Sequence, residues 1–247
     1  CSALAYNYFC SMKPMIFHMK QFDLHQEASA MKIGTDGVLI GAWNKLPEQG
    51  SVWDIGTGTG LIALMAAQRS PNCFIKGFEI DPIAAAEART NIQTSPWQNR
   101  IEIICGDAIL TASTLPSTDA IVSNPPFFTT TLKSPDIRRS DARHGGSLSV
   151  QSLIELASAK LSPTGTLSLI APADRLDEIE ETAYLNRLNI QRICTVSSTE
   201  FKSPIRVMVQ IGRTLTHIER SHLSIRTTTG EYTEEYRTLT QDFYTHL

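Results

Sequence analysis

The chain has 247 residues, of which 42% are hydrophobic and 19% charged, and its formal net charge is -3 at pH 7. This composition is typical of a folded globular protein, and the weak charge excludes a global basic field that would attract nucleic acid. The five cysteines are scattered without a C-x-x-C pair, which argues against disulfides or zinc and favours a reducing compartment, the cytoplasm. We expect no resident metal and, because no apolar run is long enough to cross a bilayer, no association with a membrane.

The chain is expected to form one folded domain over residues 20–247, in which residues 20–46 form a lead-in segment. Residues 1–19 are rich in aromatic and apolar side chains but lack the basic start of a signal peptide. We interpret them as an upstream extension. No internal repeat or low-complexity tract divides the remainder.

After the lead-in, apolar β-branched runs alternate with helix-forming runs. Strands are predicted at 51–55, 73–80, 101–105, 119–123, 165–171, 190–196, 205–211 and 223–226. Helices are predicted at 61–68, from Pro82 through 89, at 147–160, at 174–185 and at 233–243. This alternation is typical of a doubly wound α/β fold with a mostly parallel sheet.

A glycine-rich segment follows the first predicted strand. Gly56, Gly58 and Gly60 permit a tight turn and let a ligand approach the backbone closely, at Thr57 among others. Their spacing differs from both the dinucleotide fingerprint and the P-loop, which argues against a phosphate cradle. Asp54, at the strand end, would repel a pyrophosphate but attract the ammonium group of an amino acid. A simple tight turn is the alternative.

Acidic residues also end the next two strands. Glu79 is placed to accept hydrogen bonds from ribose hydroxyls, and Asp107 from an adenine amino group. Helix capping is the alternative for Asp107, and it suits Asp81 better than Glu79. Acids at successive strand ends converge on the carboxyl edge of a parallel sheet, where such sheets bind ligands.

The fourth of these strands ends abruptly on Asn124-Pro125-Pro126-Phe127. An amide, backbone carbonyls next to residues without an N–H group, and a flat ring suit the binding of a planar ring with an exocyclic amino group. The alternative is an ordinary proline-terminated strand.

Residues 51–211 resemble the class I S-adenosylmethionine-dependent methyltransferases. The segment from Asp54 to Gly60 is similar to their first motif, Glu79 to their ribose-binding acid and Asp107 to their adenine-side acid. The resemblance implies a Rossmann-like, seven-stranded sheet with a reversed final strand, and S-adenosyl-L-methionine as the cofactor. Within this superfamily, Asn-Pro-Pro-aromatic resembles the signature of enzymes that methylate planar amino nitrogens.

That resemblance assigns catalytic roles to Asn124, Pro125, Pro126 and Phe127. The Asn124 side-chain oxygen and the Pro125 carbonyl would each accept a hydrogen bond from one N–H of the amino group. These two hydrogen bonds would orient the lone pair of the nitrogen for in-line attack. Phe127, with Phe128, would stack on an extruded base.

The segments at 20–26, 31–43 and 223–244 closely resemble bacterial methyltransferases that modify N6 of adenine 37 in a valine tRNA. The lead-in would comprise a strand-like piece and a helix capped by Thr35 or Asp36. Phe127 departs from the tyrosine common in that family. The implied partner is the tRNA anticodon loop, with no stable protein partner. The alternatives are a release-factor glutamine methyltransferase, an rRNA guanine N2-methyltransferase and a non-catalytic RNA chaperone.

The segment 129–146, after the proline motif, is the strongest candidate surface for RNA. Substrate contacts are expected from Arg138, Arg139 and Arg143, since guanidinium groups bind phosphates. The alternative is a solvated loop whose charges are partly balanced by its two aspartates. Other basic candidates are Lys20, Lys32, Lys202 and Arg206.

Overall fold

A computed structural model describes residues 15–27, 32–126 and 148–246. Its strands are β1 (Ile16–His18), β2 (Asp23–His25), β3 (Gln49–Ile55), β4 (Asn72–Glu79), β5 (Ile101–Cys105), β6 (Thr118–Ser123), β7 (Leu161–Pro172), β8 (Asn189–Thr199), β9 (Arg206–Gly212) and β10 (Glu219–Arg226). Its helices are α1 (Thr35–Trp43), α2 (Leu61–Arg69), α3 (Pro82–Gln93), α4 (Ala108–Ser113), α5 (Val150–Lys160), α6 (Leu176–Leu185) and α7 (Glu234–Thr240). No helix in the described ranges is long and apolar enough to cross a membrane.

The main sheet has the strand order β10-β8-β9-β7-β6-β3-β4-β5. All neighbours run parallel except β9, which is antiparallel to both β7 and β8. The predicted mostly parallel α/β fold with a reversed late strand is confirmed. The sheet has one strand more than the seven expected, because β10 extends from 219 to 226 and pairs with β8 along nearly its whole length.

Helices cover both faces of the sheet, so the fold is doubly wound. Along β3, Val52 packs into a core with α1, α2 and α3, while Trp53 packs into a second core with α5 and α6. Alternating side chains of a strand point to opposite faces, and both faces here are apolar and buried. This explains the near-continuous apolar character of the central strands.

Local signals define the helix starts. Asp81 caps α3 with Pro82 at its first position, and Ser149 caps α5 in a capping box with Ser152. The lead-in helix differs from its prediction. Its N-cap is Gly34, without a side-chain cap, because Thr35 and Asp36 already have helical positions in α1.

The lead-in begins before residue 20. β1 and β2 pair antiparallel, Met19 is buried and bridges to Tyr244, and the Lys20 amide donates to the carbonyl of Phe243 at 2.8 Å. Residues 15–19 therefore belong to the packed fold, which corrects their assignment to an upstream extension. Met19 is buried and the Phe17 ring contacts Tyr244 edge-on, so part of this stretch packs on the C-terminal segment, a partner too distant in sequence to be seen in local patterns.

Asn91 of α3 ties the lead-in hairpin to the glycine loop. Its side chain is fully buried. Its Oδ1 accepts from the His25 amide at 2.8 Å, and its Nδ2 donates to the carbonyls of His25 (3.0 Å) and Thr59 (2.9 Å). One buried amide group thus satisfies three backbone groups from two separate segments.

Asn91→Ala should lower the free energy of unfolding by about 2–4 kcal/mol, because these backbone groups lose their partner in the interior. Urea denaturation followed by circular dichroism measures the change. Asn99→Ala, at an exposed position, is the matched control and should stay within about 0.5 kcal/mol of the parent. Equal effects of the two variants would contradict a tethering role for Asn91.

Candidate active site

The candidate site lies at the carboxyl edge of the sheet, where β3, β4, β5 and β6 end side by side. The register pairs Ile55 with both Phe78 and Ser123, and Glu79 with Cys105. The residues that follow these strand ends are therefore neighbours in space. The fold brings together the glycine loop, Glu79, Asp107 and Asn124, as predicted from their places in the sequence.

The glycine loop between β3 and α2 has left-handed backbone at each glycine. The φ angles are 75° at Gly56, 55° at Gly58 and 87° at Gly60. The amides of Gly56 and Thr57 both donate to the Phe78 carbonyl, at 3.0 and 2.9 Å. Gly58 differs from the other two glycines, since a Cβ atom there would meet nothing within 4 Å. The loop presents bare backbone to open space at this position.

Glu79, at the end of β4, holds the tip of the loop. One carboxylate oxygen accepts from the Gly58 amide and the other from the Asp81 amide, both at 2.9 Å. The side chain is half-buried, and each oxygen retains a lone pair. Glu79 is thus fixed in orientation with acceptor capacity remaining, which suits a pair of ribose hydroxyls.

Asp54, predicted to attract an ammonium group, is completely buried at the end of β3. Its Oδ2 accepts from Thr57 Oγ1 at 2.6 Å and from the Ala63 amide at 3.0 Å, while Oδ1 has no hydrogen-bond partner. Burial raises its pKa to about 7, against the opposing effect of these two hydrogen bonds. Asp54 and Thr57 therefore organise the loop from within, and the contact of Asp54 with an ammonium group stays a prediction.

The two other acids at this edge cap helices. Asp81 Oδ1 accepts from the Ile83 amide, and Asp107 Oδ1 accepts from the amides of Ile109 and Leu110 at 2.8 and 3.1 Å. The second Asp107 oxygen makes no hydrogen bond to any described residue. Asp107 can therefore cap α4 and still accept from an adenine amino group, so the two interpretations of this residue are compatible.

Asn124 stands next to the glycine loop across the β3–β6 pair. Ser123 Oγ donates to the Ile55 carbonyl at 2.7 Å, which locks the ends of the two strands together. The Asn124 side chain is half-buried and makes no hydrogen bond with the described part of the chain. Pro125 is buried and Pro126 half-buried. The amide that was expected to accept from a substrate thus has both polar atoms available.

Two residues that line this site were missed from the sequence. A Cβ at Gly37 of α1 would lie 3.9 Å from Asn124 Nδ2, and one at Gly56 would lie 3.2 Å from Leu148 Cδ2. Gly37 lets the lead-in helix approach Asn124, and Leu148 covers the start of the glycine loop. Gly37 follows the capping signal of α1 in sequence, but nothing local indicates its neighbour.

Phe127, Phe128, Arg138, Arg139 and Arg143 lie outside the described residues, and their roles stay predictions. Of the other basic candidates, Arg206 contacts Asp36 of α1 with an Nε–Oδ2 distance of 2.8 Å. Lys32 donates to the carbonyls of Gln26 and Glu27. Both therefore support the lead-in.

The residues at this edge fit S-adenosyl-L-methionine. The open space at Gly58 allows the cofactor to contact the backbone. The oriented Glu79 carboxylate can accept from the ribose, and the remaining acceptor of Asp107 can accept from the adenine. No group of three or more His, Cys, Asp or Glu side chains in the described ranges could hold a metal ion. Together, the strand order and this site define a class I methyltransferase.

Comparisons with known proteins agree with this class. The family model for the methyltransferase small domain matches residues 29–182. A tRNA1(Val) (adenine(37)-N6)-methyltransferase of Porphyromonas gingivalis is 46% identical over 93% of this chain and 95% of its own length. A protein of the same name from Bacteroides fragilis is 40% identical over 94% of this chain and 99% of its own. The chain belongs to this methyltransferase family.

Solved structures show the same fold at low sequence identity. A protein described as a predicted O-methyltransferase from Agrobacterium tumefaciens has a TM-score of 0.66 at 19% identity, covering 84% of this chain and 96% of its own. A methyltransferase from Pyrococcus furiosus has a TM-score of 0.54 at 21% identity, covering 78% and 90%. The sheet and helices are therefore shared across methyltransferases that have diverged widely in sequence.

Gly58→Ala should weaken S-adenosylmethionine binding at least tenfold, because its methyl group enters the space open to a ligand. Isothermal titration calorimetry measures the affinity. Gly230→Ala is the matched control: Gly230 also has a positive φ, 91°, and open surroundings, but lies in the turn after β10. Both variants should lose about 1 kcal/mol of stability, and only Gly58→Ala should lose affinity. Equal affinities would contradict a cofactor site at Gly58.

The buried Asp54 predicts a pH dependence of stability in the ligand-free protein. Its pKa is about 7 when folded and near the ordinary 3.8 when unfolded, so the unfolded state binds fewer protons between pH 4 and 7. The contribution of this group to stability therefore falls as the pH rises through that window. The free energy of unfolding of the parent, relative to Asp54→Asn, should drop by about 2–4 kcal/mol from pH 4 to 7. Parallel pH profiles from urea denaturation would contradict the raised pKa.

Proposed function

We propose that this protein transfers a methyl group from S-adenosyl-L-methionine to the exocyclic N6 of adenine 37 in valine tRNA. The observation that carries the proposal is the Asn124-Pro125-Pro126 strand end, held beside the glycine loop by the β3–β6 register. The relatives from Porphyromonas gingivalis and Bacteroides fragilis, which match nearly the whole chain, carry that activity in their names.

The chemistry requires that a weak nucleophile be oriented. The lone pair of an aromatic amine is delocalised into the ring, so the amine attacks poorly unless it is held in place. Asn124 Oδ1 and the Pro125 carbonyl are two acceptors on consecutive residues, and the prolines place no competing N–H group between them. Each of these two oxygens accepts a hydrogen bond from one N–H group of the amine, so the lone pair of the amine points away from them. This positioning supplies much of the rate enhancement.

S-adenosyl-L-methionine supplies an electrophilic methyl group on a sulfonium when bound. Asn124 carries no charge and accepts hydrogen bonds only through its amide oxygen. The N6 nitrogen would gain the methyl carbon as the bond from that carbon to the sulfonium breaks, which would leave a neutral thioether, and the extra proton on nitrogen would then pass to solvent. Orientation of the amine is therefore what the reaction requires of the side chains at this edge, and no strong base is needed to deprotonate the amine before transfer.

The second part of the proposal concerns the residues that contact the RNA. We infer that the anticodon loop presents its base to Asn124, with Phe127 and Phe128 stacking on it and Arg138, Arg139 and Arg143 contacting phosphates. These assignments are supported by the residue types alone. A tRNA substrate places the reaction in the cytoplasm, and the proposed chemistry requires no partner protein.

A methyl-transfer survey tests the substrate. The protein is incubated with labelled S-adenosyl-L-methionine and, separately, with total tRNA, rRNA or release factor from a strain that lacks the enzyme. We expect label in valine tRNA as N6-methyladenosine at position 37. Label in release factor would indicate methylation of glutamine, and label in rRNA would indicate methylation of guanine. The absence of label from every pool would indicate a non-catalytic RNA-binding protein. Each of these three outcomes would overturn the proposal.

Asn124→Ala should lower kcat for tRNA methylation by about 100-fold or more, since both orientation and one acceptor are lost. The affinity for S-adenosyl-L-methionine, measured by calorimetry, should change less than threefold, because the proposed partner of the Asn124 side chain is the amino group of the substrate and not the cofactor. Asn99→Ala serves as the control for kcat. Parallel losses of cofactor affinity and kcat would make Asn124 a cofactor-binding residue instead.

A further inference from the structure

The loop between β8 and β9, residues 200–205, carries an aromatic ring that the described chain leaves uncovered. Phe201 is 97% exposed and has a φ angle of 65°. Phenylalanine is among the residues most often buried, and a positive φ is strained for a bulky side chain. Neither burial nor backbone preference therefore accounts for a phenylalanine at this position, and such strain is concentrated at functional sites.

The loop is held firmly in this shape. Ser197 Oγ donates to the Lys202 carbonyl at 2.7 Å, and further backbone hydrogen bonds fix both sides of the loop. These are Lys202 to Thr199 (3.2 Å), Glu200 to Arg226 (3.1 Å), Ile205 to Val196 (2.8 Å) and Ala173 to Ile205 (3.2 Å). The ring is thus presented by a preorganised loop that is anchored to three segments of the fold.

The loop shares the carboxyl edge with Asn124. β8 is separated from β6 by β9 and β7, which is three strand spacings or about 14 Å. Through Leu169 and Val209, the register places Ser123 at the end of β6 level with Ile193. β8 continues six residues beyond Ile193 to Thr199, a rise of about 20 Å. Phe201 therefore stands above and to one side of the candidate catalytic residue, at a span that a few unpaired nucleotides bridge.

We propose that the β8–β9 loop is a docking platform for the substrate RNA, in which Phe201 stacks on an unpaired base next to the target and Lys202 contacts a neighbouring phosphate. This inference rests on the proposed function and adds a second point of RNA contact to it. Every nucleobase has a π face, so an exposed phenyl ring gives binding energy without reading sequence. It also holds flanking nucleotides in place while the target base is extruded.

The surroundings of the ring favour RNA over a protein partner. Lys202 is exposed and forms no ion pair with the described residues, while Glu200, the one acid of the loop, is half-buried. Ser203 and Pro204 beside them are also exposed, and Ile205 is 45% exposed. One exposed ring with a partly exposed isoleucine beside it is much smaller than a stable protein interface requires, whereas a ring beside an exposed cation is the arrangement that binds single-stranded nucleic acid.

Phe201→Gly separates this role from a structural one. Glycine accepts the positive φ without strain, so the melting temperature should stay equal to or rise above that of the parent. The Kd for an unmodified valine tRNA transcript, measured by fluorescence anisotropy, should nevertheless increase about 5- to 100-fold. Phe201→Trp should bind within about threefold of the parent. Tyr184→Ala is the matched control, since Tyr184 is 81% exposed on α6 toward the opposite edge of the sheet.

The salt dependence of binding distinguishes the two side chains. Phe201→Gly should shift the plot of log Kd against log salt without changing its slope, because stacking releases no counterion. Lys202→Ala should reduce the slope of that plot by about one, the change expected for the loss of one phosphate contact. An unchanged Kd for Phe201→Gly would overturn the platform. So would a concentration-dependent dimer of the parent that Phe201→Gly abolishes without weakening RNA binding. If the parent binds the transcript through Phe201 but transfers no methyl group, the proposed function fails and the platform stands.

Discussion

The pairing of β3 with β6 is the constraint on which the site depends. It places Ser123 opposite Ile55, and the hydrogen bond from Ser123 Oγ to the Ile55 carbonyl closes the pair at its last residues. A shift of one residue would turn the buried side chains of β6 to the other face of the sheet. The apolar cores on both faces therefore fix the distance between the glycine loop and Asn124, so packing energy far from the site determines its geometry.

The organisation of the glycine loop follows from that frame. The amides of Gly56 and Thr57 both donate hydrogen bonds to the Phe78 carbonyl, and the Glu79 carboxylate accepts a hydrogen bond from the Gly58 amide. Asp54 completes the loop from the buried side, at the expense of a raised pKa. The polar groups that shape the backbone are thus mostly directed into the protein, and the surface offered to a ligand is the backbone at Gly58 together with the remaining lone pairs of two acids.

Local signals predicted most of the fold, because strand alternation, Pro82 and the glycine spacing are properties of neighbouring residues. The carboxyl-edge convergence of Glu79, Asp107 and Asn124 also followed, since parallel strands end together. Contacts between distant segments were missed. The approach of Gly37 to Asn124 and the burial of Met19 under the C-terminal segment each depend on a tertiary partner. The eighth strand was underestimated because its exposed polar first half gains its partner only from β8.

The contact between the lead-in and the C-terminal segment has a consequence for folding kinetics. Met19 bridges to Tyr244, the Lys20 amide donates a hydrogen bond to the Phe243 carbonyl, and Tyr236 of α7 shares a core with α1, the helix beside Asn124. Segments so far apart in sequence lose chain entropy before their contacts reward it, so such contacts form slowly. The helix that carries Gly37 therefore gains part of its packing from one of the slower contacts of the fold.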